Sequence, residues 1–315
     1  MSPRYAFLGP AGTFAHAAAQ QFLDSAPRPS PDEQPELVGY ASVTQAIDAL
    51  HHGEVDAAVV PLENSVEGAV PATLDALAGE QSLMILAETF LPVVFDLMAR
   101  PGTALGQVRT VATHPHAEAQ VRRYLLSELP AAEVALVGST AGGAQAVAAG
   151  HYDAAIAPAG AAELYGLATL ANDIADNQGA VTRFVLLGRP QPAPPPTGND
   201  RTTLVTYLRE DHSGALLQIL TEFASRGINL TRIESRPTKG RIGQYCFSID
   251  CEGHLADQRV ADALAALYRV CASVRYLGSY RREDGSQSAV LTGCADADYD
   301  DAAAWLAKIT QHGTP

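Results

Sequence analysis

Short apolar runs alternate with helix-period stretches over the first half of the chain. Residues 4–8 form an apolar run that stops at Gly9-Pro10-Ala11-Gly12, and a helical pattern follows at 13–23. Thr13 stands where an N-cap belongs, its side-chain oxygen able to accept a backbone N–H. Residues 27–35 are dense in proline and acid and predict a surface loop. Buried strands are predicted at 38–40 and 57–60, with a helix at 43–52 between them. Further strands are predicted at 83–88, 93–98, 109–113, 133–138 and 153–157, and helices at 117–128 and 141–149. Strands alternating with helices imply α/β units and a largely parallel sheet.

The pattern changes at residues 190–199, which read Pro-Gln-Pro-Ala-Pro-Pro-Pro-Thr-Gly-Asn. Such a run cannot pair into a sheet and predicts a semi-rigid linker. Beyond it, strands at 203–208, 229–237, 243–250 and 273–280 interleave with helices at 214–226 and 257–270, with a Lys239-Gly240 turn between the middle strands. The order βαββαβ is the split, ferredoxin-like arrangement. The tail beyond Arg281 matches no pattern, except that Asp300 and Asp301 are placed to cap a final helix through Trp305. Asp296-x-Asp298-x-Asp300 has a calcium-loop spacing, but Asp301 and Ala307 stand where the glycine and closing glutamate are required, so that reading is rejected.

A length of 315 residues predicts about two domains. The net charge of −14 argues against a nucleic-acid binder, which needs a basic face. Only Lys239 and Lys308 are lysines, so arginine carries nearly all the positive charge. Cys246, Cys251, Cys271 and Cys294 form no C-x-x-C pair, so neither zinc nor a disulfide framework is expected, and a reducing cytoplasmic setting fits. Residues 1–10 lack the pattern of a secretory signal. No apolar run approaches the ~20 residues of a membrane span.

Three strings carry the chemistry. They are Gly9-Pro10-Ala11-Gly12-Thr13-Phe14, then residues 63–75 opening Glu63-Asn64-Ser65-Val66-Glu67-Gly68 and closing Thr73-Leu74-Asp75, then residues 164–184 closing Thr182-Arg183-Phe184. In this order they resemble prephenate dehydratase, which converts prephenate to phenylpyruvate, water and carbon dioxide. Gly214-Ala215-Leu216, Ile228-Asn229-Leu230 and Glu234-Ser235-Arg236-Pro237 resemble the ACT domain that follows the catalytic region in that family. The resemblance implies a catalytic region at 1–189 in two α/β lobes (1–77 plus 170–189, and 78–169) similar to type II solute-binding proteins. It further implies a linker at 190–200, an ACT domain at 201–281 and a tail at 282–315.

The resemblance makes Thr182 the catalytic residue, acting on the departing hydroxyl. A threonine hydroxyl does not titrate near neutrality, so a hydrogen bond that strengthens as charge grows on the leaving oxygen is the better role. Arg183 offers a fork suited to a substrate carboxylate, and Phe184 a pocket wall. Asn64 and Ser65 follow a strand, where ligands of α/β sheets gather, and Glu63 would position them. Ser139 and Thr140 open a helix whose N-terminus suits an anion, and Thr13 is similar. The family pattern often has asparagine where Ala180 stands and glutamine where His116 stands; Asn177 or Gln178 could replace the first contact. His114-Pro115-His116 lacks a third metal ligand and reads as a strand-end loop. The reaction calls for no metal or organic cofactor.

The resemblance further implies phenylalanine as allosteric effector, held by Gly214, Ala215, Leu216, Asn229, Leu230, Glu234, Ser235, Arg236 and Pro237. A homodimer or tetramer through the ACT region is expected, and cutting the linker should remove inhibition but not activity. Two other functions stay open. Arogenate dehydratase performs the same chemistry on the transaminated substrate, and a two-lobed ligand sensor would share the fold without catalysis.

Overall fold

The structure is a computed structural model and describes residues 2–25, 35–79, 81–238 and 245–312. The Lys239-Gly240 turn and nearly all of the loop expected at 27–35 lie outside the described residues. Contacts divide the chain into one unit of Met1–Thr73 with Thr89–Leu186, and another of Leu74–Glu88 with Leu187–Pro315.

The chain begins β1 (Arg4–Leu8), α1 (Phe14–Ser25), β2 (Glu36–Tyr40), α2 (Val43–His52), β3 (Ala57–Asn64), β4 (Gly68–Ala69), α3 (Pro71–Ala78) and β5 (Met84–Pro92). Then come β6 (Asp96–Ala99), β7 (Thr110–Thr113), α4 (Pro115–Gln120), α5 (Arg122–Glu128), β8 (Glu133–Leu136), α6 (Thr140–Ala148), β9 (Ala154–Ala157), α7 (Ala159–Tyr165), β10 (Ala168–Ala171) and β11 (Val181–Gly188). The first sheet has the order β2-β1-β3-β11-β5, with β4 paired on β3. Its strand β1 runs parallel to both β2 and β3. The second sheet has the order β10-β6-β9-β7-β8. Here β7 is parallel to β8 and β9, while β6 is antiparallel to β9 and β10. The expected α/β alternation is present, and the two sheets are the cores of two lobes.

The crossings between lobes fall later than the sequence boundaries of 77 and 170. β5 belongs to the first sheet as far as Pro92, and β10 belongs to the second. The strand expected at 83–88 ends on a charged residue, Glu88, whereas β5 runs on to Pro92. Glu88 is buried, however, and Arg201 pairs with it. A neutralised carboxylate does not break a strand. The helix expected at 117–128 is likewise two, interrupted at Val121 with φ −130° and ψ 16°.

The C-terminal part runs β12 (Asp200–Tyr207), α8 (Ala215–Ala224), β13 (Leu230–Pro237), β14 (Tyr245–Glu252), α9 (Gln258–Val270) and β15 (Ser273–Arg281), the predicted βαββαβ order. The sheet is antiparallel with order β13-β14-β12-β15. Leu204, Ile249 and Phe247 pack with Ile219 and Phe223 of α8 and Val260 and Leu267 of α9. The final helix α10 spans Asp296–His312, so Asp300 and Asp301 lie inside it rather than capping it. Asp298 accepts from the Ala295 N–H at 2.9 Å instead.

Candidate active site

The hairpin after β3 and the start of β11 build the centre of the site. Asn64 is the last residue of β3. Its side-chain Oδ1 accepts from the backbone N–H groups of Val66 at 2.8 Å and Glu67 at 3.1 Å. Two donors on that oxygen fix the amide orientation and turn Nδ2 toward Thr182, whose Oγ1 accepts from it at 2.8 Å. Thr182 is therefore the acceptor in this pair, and its own O–H remains a donor for another group. Ser65 ties the hairpin to the same strand. Its N–H donates to the Val181 carbonyl and its Oγ accepts from the Val181 N–H, both at 2.9 Å. Glu63 sits opposite Ala69 in the β3–β4 pair.

Thr182, Arg183 and Phe184 are consecutive on β11, with 8 %, 4 % and 2 % exposure. Alternation along a strand sends Thr182 and Phe184 to one face and Arg183 to the other. The sequence expectation that all three meet one ligand therefore does not follow from their adjacency. Phe184 is core rather than an open pocket wall. Ala180 is also buried in the apolar cluster around Phe95 and Ile156, while Asn177 and Gln178 are exposed.

Thr13 serves α1. Its Oγ1 lies 3.0 Å from the Leu8 and Pro10 carbonyls and accepts from the His16 N–H at 3.2 Å. On the second lobe, Ser139 caps α6, its Oγ accepting from Gly142 N–H at 2.9 Å, and Thr140 is the first helical residue. Gly12 brings the two loops together. Its φ is +87°, and a Cβ there would stand 3.3 Å from Leu164, 3.4 Å from Tyr165 and 3.5 Å from the Ala141 side chain at the start of α6. Tyr165 donates its hydroxyl to the Ala11 carbonyl at 2.9 Å.

Four residues outside the sequence expectations also link the lobes. Glu67 meets His116 Nδ1 at 2.8 Å and accepts from Gln120 Nε2 at 3.2 Å. Phe14 meets Phe95 edge-on, with ring centroids 5.6 Å apart. Glu67 and Phe14 stand inside the family strings; Gln120 and Phe95 carry no sequence signal. His114 caps α4, its Nδ1 accepting from His116 N–H at 3.3 Å. Burial, then the neighbouring His116, push the His114 pKa down, with Glu67 opposing. Burial lowers that of His16 as well. No cluster of three or more metal-ligating side chains occurs among the described residues.

In the C-terminal unit, a cavity of about 260 Å³ is lined by residues including Gly214, Ala215, Leu216, Ser235, Tyr245 and Phe247. Gly214 caps α8 with φ 91°. A neighbouring cavity of about 200 Å³ includes Arg209, His212 and Cys271. The other expected effector residues are not among those that line the larger cavity. Asn229 donates to Glu252 at 3.2 Å, and Leu230, Glu234 and Pro237 pair along β14. Arg236 reaches Asp75 at 2.7 Å.

Residues 5–192 match the family described as prephenate dehydratase, and residues 202–267 match the ACT domain. A prephenate dehydratase of Amycolatopsis methanolica is 48 % identical over 307 residues, 97 % of each chain. Among solved structures, prephenate dehydratase from Arthrobacter aurescens in complex with L-Phe is 46 % identical, with a TM-score of 0.89 over 98 % of this chain and 99 % of that one. A structure described as a quorum-quenching acylase, GqqA, is 32 % identical, with a TM-score of 0.78 over 89 % and 98 % of the two chains. With the family strings meeting at Asn64–Thr182 and at Ala11–Tyr165, and a match that runs the length of its relatives, this chain belongs to the prephenate dehydratase family of decarboxylating hydro-lyases, with an ACT domain behind the catalytic region.

Proposed function

We propose that the chain converts prephenate to phenylpyruvate, with Thr182 as the catalytic residue and phenylalanine as the allosteric effector. The observation that carries the reading is the fixed direction of the Asn64–Thr182 hydrogen bond. Asn64 can only donate to Thr182, so the threonine O–H is left to donate to the oxygen that departs from the ring. Loss of carbon dioxide and hydroxide together makes the ring aromatic. The protein needs to hold the substrate and stabilise charge on the leaving oxygen, which an oriented neutral donor does without being acidic. Ser65 and Glu63 act by holding the hairpin, and Thr13 by fixing the first loop. The α6 N-terminus at Ser139 and Thr140 offers a positive dipole end to one carboxylate. Arg183 supplies fixed charge from the other face of β11.

For the effector, the 260 Å³ cavity supports phenylalanine, with the α8 N-terminus toward its carboxylate and Leu216, Tyr245 and Phe247 toward its ring. The relative solved with L-Phe supports the same choice. β13 is an edge strand with Ile233 exposed, which favours pairing between copies into a homodimer or a larger assembly. The unpaired, mostly buried cysteines fit a cytoplasmic setting. Among the described residues, no helix is long and apolar enough to cross a membrane.

The test is phenylpyruvate formation from prephenate and from arogenate, with the wild-type chain and Thr182→Ala. Turnover of prephenate that collapses in a folded Thr182→Ala variant is expected. Faster turnover of arogenate would reassign the substrate. No turnover of either would leave the two-lobed sensor. Acylase chemistry like that described for GqqA is disfavoured, since the partner of Thr182 is an amide donor and not a base that could activate a nucleophile.

A further inference from the structure

The family strings leave Asp75 without a chemical task and assign Arg236 to the effector, yet the fold puts the two against each other. Asp75 closes the string that begins Glu63-Asn64, and Arg236 belongs to the string Glu234-Ser235-Arg236-Pro237. They are 161 residues apart in sequence, yet Arg236 Nε and Nη2 both donate to Asp75 Oδ1, at 3.2 and 2.7 Å. Neighbouring residues on a strand face opposite ways. Ser235 lines the 260 Å³ cavity, so Arg236 turns from it, to the face that also carries Arg232 and its partner Asp250.

Asp75 sits on α3, a single helix that begins in the catalytic unit and ends in the C-terminal one. Its first turn is tied to β3: Thr73 Oγ1 donates to the Pro61 carbonyl at 2.6 Å, and Val70 N–H just before it donates to Leu62 at 2.9 Å. Three residues beyond Pro61 is Asn64, which holds Thr182. The links from Arg236 to Thr182 are thus an ion pair, one turn of helix, one hydrogen bond, the end of β3 and a second hydrogen bond.

We propose that Arg236 acts on Asp75 and not on the effector, and that this pair carries occupancy of the ACT cavity through α3 to the Asn64–Thr182 hydrogen bond. Arg236 is then a positioning residue. A partly exposed ion pair adds little to stability, so its loss uncouples the site without unfolding the chain. The inference rests on the reading of phenylalanine as the effector. Coupling between sites is reciprocal: whatever factor the effector imposes on substrate binding, the substrate imposes on the effector.

The experiment uses the full chain and the variants Asp75→Asn, Arg236→Gln and the charge exchange Asp75→Arg with Arg236→Asp. Phenylalanine binding is measured by calorimetry, and kcat and KM are measured with and without saturating phenylalanine. The wild-type chain is expected to lose on the order of 5–150-fold in kcat/KM on binding. Asp75→Asn and Arg236→Gln keep the wild-type affinity for phenylalanine and uninhibited turnover, but lose most of the inhibition, and the charge exchange restores part of it. Full inhibition of Asp75→Asn would overturn the proposal. So would a loss of phenylalanine affinity in Arg236→Gln alone, which would return Arg236 to the cavity. A wild-type chain that neither binds nor responds to phenylalanine would remove the effector reading, and this inference with it.

Discussion

Asn64→Asp reverses the hydrogen bond at the centre of the site while changing almost nothing else. The carboxylate still accepts from Val66 and Glu67, now as charge-assisted bonds, so the hairpin keeps its 2.8 and 3.1 Å contacts. Toward Thr182 it has no hydrogen to give. The threonine O–H must turn to donate to the carboxylate, and it then offers the substrate only lone pairs. One transition-state donor is lost, which costs ~2.7–4 kcal/mol, or ~10²–10³ in kcat. A negative charge beside a dianionic substrate adds to that loss. Asn64→Ala is a poorer probe, since it also frees two backbone donors of the hairpin. The assay is kcat for phenylpyruvate release, together with thermal unfolding of the same sample. A double-mutant cycle with Thr182→Val completes it. If Asn64 works only through the threonine hydroxyl, Asn64→Asp costs far less in the Thr182→Val background. A folded Asn64→Asp enzyme with kcat near wild type would refute the reasoning outright.

Other outcomes follow from single contacts. The folded His114 pKa lies below the ordinary 6.5, so as pH falls the unfolded chain takes up this proton first. Stability supplied by neutral His114 is therefore present above that value and is lost as pH drops through it toward the folded pKa. His114→Asn, which keeps an N-cap acceptor for α4, should flatten the dependence of the melting temperature on pH in that range; an unchanged slope would acquit His114. Gly12→Ala forces a side chain into φ +87° and against Leu164, and should cost on the order of 1–2 kcal/mol in urea unfolding. Thr182→Ser keeps the donor and should retain far more turnover than Thr182→Ala; equal losses would point to packing by the methyl group.

The site was legible in sequence wherever its chemistry sits in short strings at strand ends. Asn64, Ser65 and Thr182 are brought together because β3 and β11 are neighbours in one sheet, and the strings mark the ends of those strands. Three kinds of information were not legible. The facing of a residue depends on strand phase, which a string does not carry: Thr182 and Arg183 are adjacent in the string but point to opposite faces of β11. The continuation of the 83–88 strand to Pro92 passes a buried carboxylate, and Arg201, the partner of Glu88, lies 113 residues on. Contacts between lobes, such as Glu67 with His116 and Gln120, depend on crossings that local pattern places only within several residues. The ACT arrangement is easier, since the βαββαβ order beyond the proline run constrains four strands together.

The proline-rich linker invites a cut, and the outcome of that cut follows from contacts the linker does not reveal. Residues 74–88 belong by contact to the unit that starts at Leu187. Glu88 is fully buried there, paired with Arg201 and accepting from Glu283 N–H at 3.1 Å. Arg201 also holds Asp284 at 2.6 Å. Arg236 holds Asp75, Tyr207 donates to the Ala78 carbonyl, and Arg275 donates to the Gln81 carbonyl. Gly278, with φ +134°, lies so close to the Ile85 carbonyl that no Cβ fits. A chain ending at Arg189 loses every one of these partners in a single step, and β5 keeps a carboxylate in its middle. The expectation from sequence, an active enzyme that merely ignores phenylalanine, therefore gives way to a different one: the shortened chain is destabilised and loses turnover along with inhibition. Arg201→Met in the full chain isolates the largest piece, because it strands Glu88 in place, at a cost on the order of 3–5 kcal/mol. Thermal unfolding and turnover of both proteins decide the matter. A shortened chain that melts with the full-length protein and turns over prephenate at its rate would show that residues 74–88 need nothing from beyond the linker.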